Sequence, residues 1–97
     1  INLNIGHLNL AANAFLFDRF NFIDLIKDQI VAMELSHNNG QEDQHLPLRN
    51  DCWYSDLIHD VRFKDAYKIL EFRNTPINEI KKNIDLIKDN RSVLSTP

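Results

Sequence analysis

The stretch RFKDAYKILEF, residues 62–72, decides the fold class read from this sequence. Phe63, Ala66, Tyr67 and Leu70 recur at helical spacing while Lys64, Lys68 and Glu71 fall on the other side, which predicts an amphipathic helix. C-terminal to it, Thr75 and Pro76 form a helix start, a cap followed by a residue of fixed φ. Ile77, Ile80, Ile84 and Ile87 then repeat at three and four residues, so a last helix is expected to about Asn90. On the N-terminal side, DCWYSDLIH (residues 51–59) reads as a short helix carrying Trp53 and Leu57, capped by Asn50 or Asp51.

From about Asn2 to Leu35 two stripes have the same periodicity. Ile5, Leu8, Ala12, Phe15 and Leu16 make one, and Phe22, Ile23, Ile26, Ile30 and Met33 the other. Between them Asn21, with Asp24 three residues on, resembles an N-cap with an acidic partner, so the segment is either one helix or two. SHNNGQEDQHLPL, from about Ser36 to Leu48, gathers turn formers without periodicity and is the one long loop. With two glycines and three prolines in the chain, the expectation is all-α: a small antiparallel three- to four-helix bundle.

Ninety-seven residues make one domain, 1–97, and its opening at Ile1 without Met suggests excision from a larger signalling protein. Eleven Lys and Arg against fourteen Asp and Glu give a net charge of -3, with the cations interleaved among acids, so nucleic acid is not an expected partner. The apolar run from Ala11 to Phe17 is far short of the roughly 20 residues that span a bilayer, and no membrane insertion by this segment is expected. A single cysteine, Cys52, permits no internal disulfide and fits a reducing, cytoplasmic setting.

Catalytic patterns are absent: no glycine-rich phosphate loop, no nucleophile elbow and no HExxH pair, so the chain does not read as an enzyme. His7, His37, His45 and His59 show none of the i,i+3 or i,i+4 pairing of a helix-borne metal site. His37 and His45 lie in the polar loop and read as solvated, and His59 ends the short helix, where the dipole favours a cation. His7, in an apolar first helix, reads as a satisfied core histidine, and Cys52 as a small buried or half-buried thiol. Trp53 and Tyr54 read as an aromatic cover over one end of the bundle.

Three pieces of the chain resemble the chemoreceptor zinc-binding domain. In HLNLAANAF (residues 7–15) His7 precedes Asn13, Ala14 and Phe15, where that family has a His and then Asn-Ala-Tyr. HLPLRNDCWY (residues 45–54) is similar to its His-x-x-Cys-Arg-x-Gly-x-Trp-Tyr stretch at Arg49, Trp53 and Tyr54, with Leu48 at the cysteine position. Phe63, Ala66, Tyr67 and Pro76 match its third element, with Ile77 and Lys81 at two histidine positions. The resemblance implies a bundle whose zinc ligands are mostly replaced, His7 remaining as a remnant and Cys52 offering a substitute. One imidazole does not hold structural zinc, so no cofactor is expected and zinc only if Cys52 rebuilds the site.

The function implied by the resemblance is a regulatory or sensory module of a bacterial signalling protein, of chemoreceptor or diguanylate cyclase type. It would act as a homodimer or beside a flanking signalling domain. The alternative is a small acidic helical partner protein of immunity or antitoxin type, covering a basic site through Asp24, Asp28, Glu34, Glu42 and Asp43.

Overall fold

Residues 67–70, the centre of the stretch read as a helix, form a β-strand. The structure is a computed structural model that describes the backbone of residues 1–95 and the side chains of residues 1–88. Among the described residues it is mixed α/β, with three parallel strands and four helices, which corrects the expectation of an all-α bundle. The helical bundle that the zinc-domain resemblance implies is therefore not the fold present.

In chain order the elements are β1 (Asn2–Asn4), α1 (Ile5–Phe15), α2 (Arg19–Ile26), β2 (Ala32–Leu35), α3 (Ser55–Ile58), β3 (Tyr67–Leu70) and α4 (Ile77–Ser95). Single 3-10 turns at Lys27–Gln29 and Val61–Phe63 lead into β2 and β3. The spatial order is β1-β2-β3, all parallel, with Asn2 against Ala32 and Ala32 against Tyr67. What read as two helical stripes between residues 2 and 35 is thus a strand, two helices and a second strand.

Local chemistry sets the boundaries. The Asn4 side chain accepts from the His7 amide and starts α1 directly at the end of β1. Leu16, at φ 56°, closes α1 in the left-handed conformation. Asp18 caps α2 by accepting from the amides of Phe20 (2.8 Å) and Asn21 (3.1 Å), so the cap lies three residues before the Asn21 expected from sequence. The short helix expected within residues 51–59 is present as α3, and the last helix begins just after Pro76.

Side chains alternate across the sheet. Leu3, Met33 and Leu35 point to one face and are at most 5% exposed, packed with Ile5 and Leu8 of α1, Ile23 of α2, Leu57 and Ile58 of α3, and Phe63 and Tyr54. Leu86 and Ile87 of α4 lie against the same core, and buried Asn83 accepts from the Leu48 amide at 2.6 Å while donating to the Glu79 carbonyl. Leu48, at the position of the zinc-domain cysteine, is buried in the core, whereas Ile77, at one of the histidine positions, is 72% exposed. Among the described residues no helix is long and apolar enough to cross a membrane.

Met33, fully buried on the central strand, is the residue on which helices and sheet both pack. Met33→Ala is expected to cost about 2–5 kcal/mol, the range for opening a cavity at a buried Met. Urea unfolding of the purified chain measures it, with Met33→Leu expected to stay within about 1.5 kcal/mol of the parent.

Candidate metal centre

Parallel strands end on the same side of their sheet, so the segments that follow them are neighbours in space. His7 lies in the first turn of α1 after β1, Asp43 and His45 in the long connection after β2, and Glu71 immediately after β3. One ligand atom from each of His7, Asp43 and His45 lies within 4.8 Å of the other two.

The long connection is held in place by its own polar side chains. Buried Asn38 donates to the Gly6 carbonyl (3.0 Å), and its oxygen accepts from the Asn9 side chain (2.8 Å) and the Gly40 amide (2.9 Å). Gly40 has φ +84°, which a side chain would strain, and its carbonyl accepts from Asn13. The other end of the loop is fixed to the sheet: the backbones of His37 and Leu46 exchange hydrogen bonds, and the Arg73 amide donates to the His45 carbonyl. His45 itself stands at φ 52°, an uncommon conformation for a non-glycine residue that here aims the ring inward.

At the centre the Asp43 carboxylate bridges two imidazoles. Its Oδ2 is 3.0 Å from His7 Nε2 and its Oδ1 is 3.1 Å from His45 Nε2. His45 Nδ1 lies 3.0 Å from the Glu71 carbonyl, which can only accept, so Nδ1 carries a proton. In a neutral ring the lone pair of Nε2 then faces the lone pairs of Asp43 Oδ1, an oxygen that is shielded from solvent and makes no hydrogen bond of good geometry. Such an arrangement calls for a cation between the two atoms, either a proton or a metal ion.

The electrostatics agree. Donation to the Glu71 carbonyl raises His45 above its ordinary value, burial opposes this, and the Asp43 carboxylate reinforces the rise. Burial opposes ionisation of Asp43, but the adjacent His7 and His45 imidazoles outweigh it and hold the carboxyl low. Glu71 is raised, first by sharing a hydrogen bond with Glu34, then by burial and by the Glu34 charge. Glu34 is itself gripped by the amides of Asn2 and Asn4, so a carboxylate pair stands behind the histidines on the strand ends.

The structure redistributes the residues singled out from sequence. His7 is at the site, but its side chain is 58% exposed and it is no core histidine. His45 is not solvated: its ring is 12% exposed and lies in the cluster. Cys52 lies outside the cluster, with its sulfur 3.7 Å from His37 Nδ1. That imidazole is lowered by burial and then by Arg49, and it meets the Tyr54 hydroxyl at 3.0 Å, an oxygen that also accepts from the Arg49 amide. Arg19 lies over the Trp53 ring at 4.7 Å, so the aromatic pair braces α2 against the connection.

No protein-family model matches the chain. It is similar to an uncharacterized protein of Methanocaldococcus jannaschii, 30% identical over 90 residues, which cover 92% of this chain and 34% of that protein. The chain thus spans about a third of the length of the curated relative it matches. No solved structure matches it.

The raised His45 fixes the sign of a pH effect on the metal-free chain. Its contribution is fully present below the ordinary 6.5 and is lost as pH rises through the higher folded value. The contribution of Asp43 is present above its ordinary 3.8 and is lost as pH falls through its lower folded value. Glu71, also raised, acts in the same direction as His45 in a more acidic window, and Arg73 works against the charged imidazole. His45 therefore raises the urea midpoint of the metal-free chain at about pH 5.5 relative to about pH 8, while the lowered His37 acts in the opposite direction. His45→Gln is expected to remove the His45 contribution.

Proposed function

We propose that the chain carries a divalent-metal centre with His7, Asp43 and His45 as ligands and Glu71 as the adjoining carboxylate, serving metal-assisted chemistry on a polar substrate. The observation that carries this reading is the buried Asp43 oxygen facing the His45 nitrogen 3.1 Å away without a good hydrogen bond. Two imidazoles and a carboxylate suit zinc, iron, cobalt or manganese. Three protein ligands leave coordination positions open, as catalytic sites do and closed structural sites do not.

The supporting geometry extends to the protons. The Glu71 carbonyl fixes His45 in the tautomer that leaves Nε2 free, the usual role of an outer partner of a metal-ligating histidine. A bound dication would replace the proton shared between His45 and Asp43, so metal uptake releases protons. The exposure of His7 leaves an open side for substrate, where the metal would polarise an oxygen or activate water. Glu71, held above its ordinary range by Glu34 and by burial, adjoins the ligands as a carboxyl that can exchange a proton with bound water. This reading departs from the sequence expectation of a non-enzymatic sensory module and uses His7 without Cys52.

Calorimetric titration of the metal-stripped chain with zinc, cobalt or manganese is expected to show one site per chain. His45→Ala should weaken it by more than about 100-fold, since it removes a ligand outright. Cys52→Ala should leave affinity unchanged, and the cobalt complex should lack a thiolate charge-transfer band. Metal binding insensitive to His45→Ala would overturn the assignment.

A further inference from the structure

Among the described residues the sheet is covered on one face only. Asn2, Asn4, Ala32, Glu34, Tyr67 and Ile69 point away from the helices, and apart from the small Ala32 none is buried. Tyr67 is 76% and Ile69 45% exposed, beside Val31 at 62% and Ile1 at 49%. All-parallel sheets occur almost only with both faces covered. Neither outer strand contains a proline, and the side chains exposed along β3 are those of Tyr67 and Ile69.

Topology says what kind of cover fits. The order β1-β2-β3 advances in one direction, so two crossovers of the same hand put their helices on the same side, where α1, α2 and α3 lie. A doubly wound sheet reverses direction and covers both faces with helices, whereas a barrel keeps advancing, and its inner face is covered by its own opposite wall. Length agrees. Three strands occupy a stretch that matches 34% of the archaeal relative, so at the same spacing that relative has room for about eight or nine. Eight parallel strands close a barrel.

We propose that β1, β2 and β3 are one arc of a closed parallel barrel, whose remaining wall is further βα units pairing on the outer edges of β1 and β3. The face carrying Asn2, Asn4, Glu34, Tyr67 and Ile69 then lines the barrel interior. A second copy of this chain does not fit this role, because a two-fold axis pairs β3 with β3 or β1 with β1 antiparallel and breaks the parallel order. The proposal does not rest on the metal reading.

The Tyr67 and Glu71 amides donate to β2, so by alternation that of Leu70 faces the outer edge. Hydrogen exchange by mass spectrometry on the intact archaeal relative tests the idea. Segments aligned with β1 and β3 are expected to exchange as slowly as the segment aligned with β2. Exchange at least tenfold faster at both would mark free edges and overturn the proposal. For the 97-residue chain, NMR exchange with sedimentation is expected to show a species whose Leu70 amide is unprotected. A discrete dimer in which that amide is protected would assign the edges to a second copy and overturn it equally.

Discussion

Parallel pairing of β1, β2 and β3 is the constraint from which the rest of the molecule follows. Because the three strands run the same way, every segment that leaves the sheet leaves from one rim, and every connection must cross back over a face. The crossings need helices, which bury Leu3, Met33 and Leu35; the rim collects His7, Asp43, His45 and Glu71. An antiparallel sheet of the same strands would send alternate segments to opposite ends and scatter these four residues. The site is thus a consequence of strand direction before it is one of any particular side chain.

Strand direction is what periodicity could not show. In YKIL the helical reading puts Tyr67 and Leu70 on one face; in the sheet they point to opposite faces, and Tyr67 is exposed. A four-residue strand holds too few positions for a period of two to contradict a period of three and a half. Pairing with β2, from Ala32 against Tyr67 to Leu35 against Leu70, overrides the local pattern. β1, at three residues, was hidden inside the stripe of α1 for the same reason. Where an element is long or its cap is local the sequence was legible: α4 after Pro76, α3 near Trp53, and the long connection whose turn formers Asn38, Asn39 and Gly40 do the anchoring.

The site was half legible. His7 stood out because an imidazole interrupts an apolar helix, although its role was read as interior and its side chain is open to solvent. Asp43 and His45 sit two residues apart in a polar loop, a spacing with no helical meaning, and nothing local distinguishes them from solvated neighbours such as Glu42. Their meeting with His7 requires a residue separation of 36 to be closed by the sheet and by Asn38 bonding to Gly6 and Asn9. Cys52 drew notice as the sole thiol, but the chain after the loop carries it to His37 and Tyr54, away from the cluster.

The left-handed conformation of His45 connects stability with chemistry. A non-glycine residue held at φ 52° stores strain, which is tolerated where surrounding contacts fix it. Here they do: the Arg73 amide holds the carbonyl and the Glu71 carbonyl holds the ring, both from the chain that continues β3. The sheet therefore sets the tautomer of His45 as well as its position, and a neutral ring is left with its free lone pair against Asp43. A proton relieves that conflict at low pH, and in the proposed metal centre a dication would relieve it at higher pH, on the side where His7 is open to solvent. The metal-free chain with a neutral His45 is consequently the state in which strain at His45 and repulsion at Asp43 coincide, and the proposed metal site would relieve the repulsion.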